Sequence, residues 1–532
     1  MSSVTGIAVP PPSGMLTLCL RRMPSRQKRR NPKETCEILV PSIRIRDCNA
    51  APILPEGRYV LYWMIASRRL SYNFSLDRAL EHCRDLRKPL VILEALRCGY
   101  QWASDRFHRF VIEGMADNLA AAAKLRILYY PYVEPVAGAG KGLLAALAAD
   151  ACLVVTDEFP CFFHPRMVSA AAKKLQVRLE AVDSNGLLPL RAADHAYIRA
   201  FDFRRYLQRV LPAHLQERPA ADSLNAALVS KLPHPPRLAE TLVSRWPAAP
   251  KALLQGVHGS LASFPIDHSV LPVETSGGHT AAVARMTSFL KNKFPKYGEK
   301  HSQAELCATS NMSPYLHFGH ISAHELFAEV VGREKWQPRK LALRSHGARE
   351  GWWNMSGWAE NYLDQLITWR EVGYNFSAQR EDYDRYDSLP LWALKTLEEH
   401  STDKRPVGYS LGQFETATTH DPLWNAAQGQ LLKEGHIHNY MRMLWGKKIL
   451  EWSASPRAAS QVLIELNNKY GLDGRNPNSY SGIFWCLGRY DRPWGPVRPI
   501  FGKVRYMSSE NTALKFSVKK YIAKYSPAHG LS

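Results

Sequence analysis

The run Cys152-Leu153-Val154-Val155-Thr156-Asp157 is short, apolar and rich in β-branched residues, which is typical of a strand buried on both faces. Three earlier runs have the same character: Val60-Leu61-Tyr62-Trp63-Met64, Pro89-Leu90-Val91-Ile92-Leu93 and Arg126-Ile127-Leu128-Tyr129-Tyr130. Helical patterns over residues 75–86, 106–124, 137–150 and 167–175 alternate with these runs. Strands that alternate with helices form right-handed βαβ units, so we predict an α/β domain with a doubly wound parallel sheet.

The domain boundaries follow from shifts in composition. We predict ordered structure from near Tyr59 and an α/β domain over residues 56–205. Residues 206–275 are rich in Pro and Ala and are predicted to form a connector with short helices. Residues 276–525 are helical in pattern and lack a convincing series of strands, which predicts an all-α second domain.

The first 55 residues are predicted to be a disordered basic extension. They contain Pro10-Pro11-Pro12 and Arg26-Gln27-Lys28-Arg29-Arg30 and lack the apolar core of a signal peptide. An over-long start and a DNA-contacting arm both remain open as explanations.

The charge of the chain favours a polyanionic partner. The formal net charge is +21, and the first 50 residues hold nine Lys and Arg against three Asp and Glu, so +15 lies on the remainder. Lys and Arg that neutralise phosphates release condensed counterions, which makes nucleic acid a natural partner.

The remaining bulk features point to the cytoplasm. The nine cysteines are scattered without a C-x-x-C pair, as expected for reduced thiols in a cytosolic compartment. No run of about 20 apolar residues is present, so no membrane span is predicted. We expect a monomer located in a bacterial-type cytoplasm with the nucleoid.

Three motifs resemble functional sites but lack the required context. Gly138-Ala139-Gly140-Lys141-Gly142 lacks the spacing and the Ser or Thr of a phosphate loop and is interpreted as a glycine-rich helix entry. Gly408-Tyr409-Ser410-Leu411-Gly412 matches a nucleophile elbow without the preceding strand, and Ser410 with Gln413 instead predicts a capping box. His436 and His438 have the wrong spacing for one helical face and no third ligand.

Residues 420–507 carry the most informative pattern. Trp445 and Trp452 lie seven residues apart, so on a helix they share one face about 10 Å apart along the axis. Core packing is the usual reason for such a stripe. It does not explain the polar residues nearby, which are Arg442, Asn467, Asn468, Asp473, Arg475 and Asn476. Buried polar groups need partners, and a large polar heteroaromatic cofactor would supply them.

These segments resemble class II cyclobutane pyrimidine dimer photolyases of the photolyase/cryptochrome family. The resemblance is carried by residues 421–428, 441–452, 466–476 and 498–507, together with Ser313-Pro314-Tyr315-Leu316-His317-Phe318-Gly319 after Thr309-Ser310-Asn311-Met312. It covers about residues 57–525 and is strongest after residue 264. It implies an α/β antenna-type domain, a connector and a helical FAD-binding domain.

The resemblance implies roles for the residues around FAD. The expected contacts to the phosphates and the ribityl chain are Tyr297, Thr309, Ser310, Asn311, Met312 and Ser313. Arg442 and Asp473 would form an ion pair beside the isoalloxazine ring, and Asn467 would face its N5 atom. Trp445, Trp424 and Trp452 would form the electron relay that photoreduces FAD, with Trp445 nearest the flavin.

The resemblance also implies UV-damaged DNA as the substrate. The dimer has to leave the base stack to reach the cofactor. Glu371 would hydrogen-bond its base edge, and Met443 and Trp485 would provide apolar and stacking surface. Lys503, Arg505 and Lys515 would hold phosphates without reading sequence. The repair step would be electron donation from excited reduced FAD to the dimer.

The sequence departs from the family mainly on the substrate side. Trp369-Arg370-Glu371-Val372 stands where the family usually has Arg-Arg-Glu-Leu, and the segment around residues 487–496 differs from its Gly-Ile-His-Asp sequence. These departures therefore bear on dimer specificity more than on FAD binding. The α/β domain is the least similar part, and a deazaflavin antenna or no second chromophore both remain open.

Two other functions compete with repair. A cryptochrome-like photoreceptor would share the FAD pocket, although Glu371, Met443 and Trp485 favour repair. A basic helical nucleic-acid-binding protein without catalysis would have no use for three aligned tryptophans around a polar pocket.

Overall fold

A six-stranded sheet forms the centre of the N-terminal part, in the order β1-β6-β5-β2-β3-β4. The computed structural model describes residues 40–306 and 308–526. The strands are β1 (Ile45–Asp47), β2 (Tyr59–Met64), β3 (Leu90–Leu96), β4 (Leu128–Val133), β5 (Ala151–Asp157) and β6 (Leu179–Val182). All neighbouring pairs are parallel except β1 and β6, which are antiparallel. The predicted α/β fold is confirmed.

The helices of this part cover both faces of the sheet. They are α1 (Phe74–Leu86), α2 (Asp105–Ala122), α3 (Leu143–Ala149), α4 (His164–Ala172) and α5 (Ala200–Val210). Asn73 begins α1 because its side-chain oxygen accepts hydrogen bonds from the backbone N–H groups of Ser75 and Leu76. Leu61 and Val91 pack on one face of the sheet and Val60 and Leu90 on the other, so successive residues alternate between two apolar layers.

Ordered structure begins earlier than predicted. Residues 45–47 form β1, which pairs with β6 at the edge of the sheet, although we expected order only from Tyr59. Three residues are too few to show an apolar period, so this edge strand depends on its partner rather than on its own sequence. Most of the predicted basic extension lies outside the described residues.

The described residues of the connector and the C-terminal part form helices joined by turns and loops. The connector holds α6 (Ala226–Val229), α7 (Glu240–Arg245) and α8 (Lys251–Leu254). The helices that follow are α9 (His279–Asn292), α10 (Tyr297–Lys300), α11 (Ser313–His317), α12 (Ala323–Arg333), α13 (Gly357–Leu363), α14 (Arg370–Gln379), α15 (Leu391–Glu399), α16 (Leu411–Glu415), α17 (Pro422–Glu434), α18 (Asn439–Trp452), α19 (Pro456–Tyr470), α20 (Pro477–Trp485), α21 (Ser509–Lys515) and α22 (Lys519–Tyr525). A π-helix, Asp364–Trp369, joins α13 to α14.

The helical part shares its core with the α/β part. Phe107, Phe110 and Phe159 of the N-terminal part belong to the same buried apolar cluster as the C-terminal helices. The two parts therefore pack through an apolar contact, which holds the helical part in a defined position against the sheet.

Two of the local motifs behave as predicted. Ser410 and Gln413 form the capping box that begins α16. The glycine-rich loop leads into α3, with Gly142 at a φ of 97° as the N-cap residue. The N–H groups of Gly138 and Gly140 both donate to Glu134, so the protein's own carboxylate occupies the position a phosphate would take in a phosphate loop. Within residues 40–306 and 308–526, no helix is long and apolar enough to cross a membrane.

Candidate cofactor and substrate site

A cavity of about 780 Å³ lies among the C-terminal helices. It brings together most of the residues predicted for the cofactor and the substrate. Of these, Tyr297, Thr309, Ser310, Asn311, Met312, Ser313, Arg442, Met443, Asp473, Trp485 and Arg505 line it. They come from six separate segments of the chain, so the cavity exists only in the folded protein.

An ion pair joins three of these segments. The Arg442 guanidinium on α18 donates to both carboxylate oxygens of Asp473, at 2.9 and 3.1 Å. The hydroxyl of Ser313, the first residue of α11, donates to the same carboxylate at 2.8 Å. Burial alone would raise the pKa of Asp473, but Arg442 and Ser313 outweigh it and hold the pKa below its ordinary value. The carboxylate therefore stays ionised in a buried site.

The loop before α11 has the polar character expected for a phosphate contact. The Thr309 hydroxyl donates to the side-chain oxygen of Asn311 at 2.8 Å, and Asn311 adopts a left-handed backbone with a φ of 54°. Tyr297 forms a wall beside this loop, where its ring packs edge-on against Phe289. Small hydroxyl and amide residues in an irregular loop can bind an anion through side chains and free N–H groups.

Several buried polar atoms of the lining lack a protein partner within the described residues. They include both ring nitrogens of His438 and the Nη1 atom of Arg370. Unpartnered buried polar atoms are rare in native proteins and usually mark a site for water or a ligand. The volume also lies in the range of cofactor pockets. The lining therefore fits a large polar ligand such as FAD.

The predicted tryptophans form a connected group behind the cavity wall. The Trp424 indole N–H donates to the backbone carbonyl of Trp445 at 3.0 Å, and the rings of Trp424 and Trp452 are 5.9 Å apart. The Trp445 indole N–H donates to Gln428 at 2.9 Å. All three side chains are buried. Trp445 lies three residues after Arg442 on α18, which places the group next to the cavity without lining it.

Glu371 does not reach the cavity, contrary to the expectation from sequence. Its carboxylate accepts the backbone N–H groups of Leu187 and Leu188, at 2.7 and 3.0 Å, in the turn after β6. Burial raises the pKa of Glu371 to about 7. Trp369 and Arg370 line the cavity instead. Successive helical residues point about 100° apart, and the Glu371 carboxylate is directed to the turn after β6 rather than to the cavity.

Asn467 also lies away from the cavity lining. Its side-chain nitrogen donates to the hydroxyl of Ser479 at 2.6 Å and to the side-chain oxygen of Asn468 at 3.2 Å. In this arrangement the amide nitrogen of Asn467 ties α19 to α20.

Several lining residues were not predicted from the sequence. The π-helix contributes Gln365 and Leu366, and Arg204 on α5 anchors it through a buried two-bond pair with Asp364 at 2.8 and 3.0 Å. Other lining residues outside the prediction are Arg199, Arg349, His436, His438, Ser481, Tyr490, Asp491 and Arg492. A π-helix leaves no clear sequence signature, although such turns are frequent at functional sites.

The substrate side of the cavity is aromatic and cationic. The Arg505 guanidinium lies 5.5 Å from the ring centre of Trp485 and 4.0 Å from that of Trp494. Asp491 pairs with Arg505 at 3.2 Å and accepts the Trp494 indole N–H at 3.0 Å. Half-buried Trp485 thus offers an aromatic face beside positive charge, which suits a nucleobase and its phosphate.

A second cavity of about 610 Å³ lies at the carboxyl ends of the strands. From β2 the chain continues to β3 and β4 on one side of that strand and then to β5 and β6 on its other side. The cavity therefore lies at the topological switch point, where open α/β sheets bind ligands. Its lining includes Trp63, Tyr100, Phe159, Phe163, Lys141 and Lys174. Three buried side-chain nitrogens of the lining have no hydrogen-bond partner among the described residues: His164 Nδ1, His317 Nδ1 and Arg475 Nη2.

Comparisons with known proteins were made on sequence and on structure. The chain is 33% identical over 485 residues to a deoxyribodipyrimidine photo-lyase of Methanothermobacter thermautotrophicus, which covers 90% of this chain and 97% of the relative. It is 30% identical to the deoxyribodipyrimidine photo-lyase of Potorous tridactylus, with 91% and 84% covered. No protein-family model matches the chain.

Among solved structures, a bacterial class III photolyase from Agrobacterium tumefaciens has the same fold. The TM-score is 0.62 at 16% identity, with 88% of this chain and 86% of that chain covered. Because the similarity to the Methanothermobacter relative extends over nearly its whole length, the chain belongs to the deoxyribodipyrimidine photo-lyase family.

Proposed function

We propose that this protein is a class II enzyme that uses light to repair cyclobutane pyrimidine dimers in DNA, with FAD in the cavity of the helical part. The observation that carries this proposal is the composition of one cavity wall. Helix α18 places Arg442, predicted for the cofactor, and Met443, predicted for the substrate, in the lining of the same cavity. The same helix carries Trp445 toward the connected tryptophans. One rigid element thus joins cofactor, substrate and electron supply.

Each polar group on the cofactor side of the cavity would have a role in binding FAD. Tyr297 and the segment from Thr309 to Ser313 would hold the phosphates and the ribityl chain. Arg442 and Asp473 would lie beside the isoalloxazine ring, and the unpartnered His438 would hydrogen-bond the cofactor. When bound, FAD supplies the photochemistry, which is electron donation from its excited reduced form to the dimer. The protein supplies position and electrostatics.

Trp445, Trp424 and Trp452 would carry electrons to the cofactor after illumination. Their arrangement supports this role because the Trp424 indole contacts the Trp445 backbone and lies 5.9 Å from the Trp452 ring. The Tyr409 ring, 5.5 Å beyond Trp452, is partly exposed and brings the chain of aromatic groups to the surface.

On the substrate side, Met443, Trp485 and Arg505 would contact the flipped dimer. Glu371 is left out of the substrate contacts because its carboxylate accepts the N–H groups of Leu187 and Leu188. Asn467, predicted for the cofactor side, is left out there because its amide nitrogen donates to Ser479. Arg199, Arg349 and Arg492 at the cavity, together with Lys503 and Lys515, would hold phosphates without reading sequence. We also infer that the protein acts as a monomer in the cytoplasm, where the nucleoid provides its substrate.

The second cavity would hold an antenna chromophore of the deazaflavin type. A planar ring would lie among Trp63, Tyr100 and Phe159, and its polar atoms would reach the unpartnered nitrogens of His164 and His317. Lys141 and Lys174 would take an acidic tail. The chemistry of the lining supports this assignment because it combines an apolar interior with a small number of hydrogen-bond donors.

The test is a repair assay on the purified protein. We expect flavin bands in the visible spectrum, reduction under blue light, and restored thymine absorbance in an oligonucleotide that contains a cyclobutane dimer. A matched undamaged oligonucleotide controls for absorbance changes caused by light alone. Photoreduction without repair would refute the proposal and identify a photoreceptor.

A further inference from the structure

A lysine is buried directly behind the substrate wall. Lys447 on α18 is fully buried and lies one helical turn after Met443, so both side chains project from the same face of α18. Its ammonium donates to the backbone carbonyl of Cys486 at 2.7 Å. The same nitrogen lies 5.0 Å from the ring centre of Trp485.

The Lys447 ammonium lies at the C-terminal end of α20. Trp485 is the last residue of that helix and Cys486 is its C-cap residue. The last carbonyls of a helix lack intrahelical partners and carry partial negative charge, so a cation there is favourable. Gly446 brings the two helices close, since a Cβ at that position would lie 2.4 Å from the Cys486 sulfur. Lys447 therefore holds the backbone carbonyl of Cys486, directly after Trp485, and contacts the ring of Trp485.

Burial of this charge is costly for the fold. The neighbouring Lys448 pairs with Glu451 at 2.9 Å, whereas Lys447 makes no ion pair with any described residue. A buried ammonium without a carboxylate is destabilising relative to an apolar side chain of similar shape. Such a group is more readily explained by what it positions than by stability.

We infer that Lys447 is a positioning residue that holds the Trp485 indole in the orientation that stacks on the flipped dimer. This inference rests on the proposed function, because it assigns the contact of Trp485 to that substrate. Lys447 does not touch the dimer in this scheme. It acts through the helix end and through the cation–π contact with the ring.

The experiment compares Lys447→Met with wild type in binding to two oligonucleotides, one with a cyclobutane dimer and one undamaged. We expect the Kd for the damaged strand to rise about tenfold, which is about 1.4 kcal/mol, with no change for the undamaged strand. The FAD content and the photoreduction of Lys447→Met should equal those of wild type. Its thermal unfolding midpoint should be unchanged or raised. Lys395→Met, on the exposed side of α15, is the matched control for loss of one positive charge.

A double-mutant cycle with Trp485→Leu separates positioning from a direct role. If Lys447 acts through Trp485, the double variant should bind damaged DNA no more weakly than Trp485→Leu alone. Additive losses, an equal loss on undamaged DNA, or unchanged binding by Lys447→Met would each overturn the inference.

The wild-type pH profile gives a readout that does not depend on whether a variant folds. Burial lowers the pKa of Lys447 to about 8, so the preference for damaged DNA should weaken as the pH rises through this value. The other titratable or charged groups facing Lys447 are Cys486, Asp491 and Arg505, and burial raises the pKa of the Cys486 thiol to about 11. Lys447→Gln should abolish the transition. A wild-type protein that neither prefers nor repairs damaged DNA would refute the proposed function itself.

Discussion

Replacement of Asp473 by Asn is expected to abolish stable FAD binding and to weaken the folded state. The substitution keeps the shape of the side chain but removes the charge that faces Arg442. The two side chains are 17% and 9% exposed, so the Arg442 guanidinium would remain largely buried without its partner. Removal of one member of a buried pair costs about 3–5 kcal/mol, and we expect about 3 here because Arg442 keeps some contact with water.

The assay combines flavin absorbance per protein with urea denaturation of the protein stripped of flavin. Asp387→Asn is the matched control, since the Arg457–Asp387 pair has side chains that are 57% and 64% exposed and solvent screening leaves it with little effect on stability. A variant at Asp473 with full flavin content and an unfolding free energy within about 1 kcal/mol of wild type would refute the reasoning.

The same ion pair predicts a sensitivity to acid. The pKa of Asp473 is lower in the folded protein than in the unfolded chain, so its contribution to stability is present above the unfolded value and is lost as the pH falls through the folded value. Wild type should therefore release flavin as the pH falls below the ordinary range of carboxyl groups, and Asp473→Asn should lack this step.

Three further predictions concern the relay, Glu371 and the second cavity. Trp445→Phe should abolish photoreduction by blue light, while enzyme reduced chemically should still repair dimers; loss of both activities would contradict a role limited to electron supply. Burial raises the pKa of Glu371 to about 7, so its contribution to stability is fully present below its unfolded pKa and is lost as the pH rises to about 7. Glu371→Gln should flatten this pH dependence in urea titrations. If Glu371 contacted the dimer directly, the variant would instead lower the repair yield at unchanged stability. Ala95→Phe should fill part of the second cavity and prevent a deazaflavin from sensitising repair, and an unchanged action spectrum would argue against a chromophore there.

Local sequence patterns were sufficient to predict an element where the residues that contact each other are also close in sequence. The run from Cys152 to Asp157 predicted β5 nearly to its ends, because a parallel strand covered on both faces must be apolar throughout. The capping box at Ser410 was predicted for the same reason, since its hydrogen bonds span three residues. Strand β1 was missed because three residues carry no period and their hydrogen bonds go to β6.

The sequence by itself therefore determined the α/β and helical parts, the family resemblance and a core set of the residues that line the cavity. Only the tertiary structure decided which polar atoms are available to a ligand. The carboxylate of Glu371 accepts the backbone N–H groups of residues 187–188, and the amide nitrogen of Asn467 donates to Ser479. The ring nitrogens of His438, in contrast, have no hydrogen-bond partner among the described residues. A buried polar group takes the partner that packing brings within about 3 Å, and that distance depends on segments far apart in the chain.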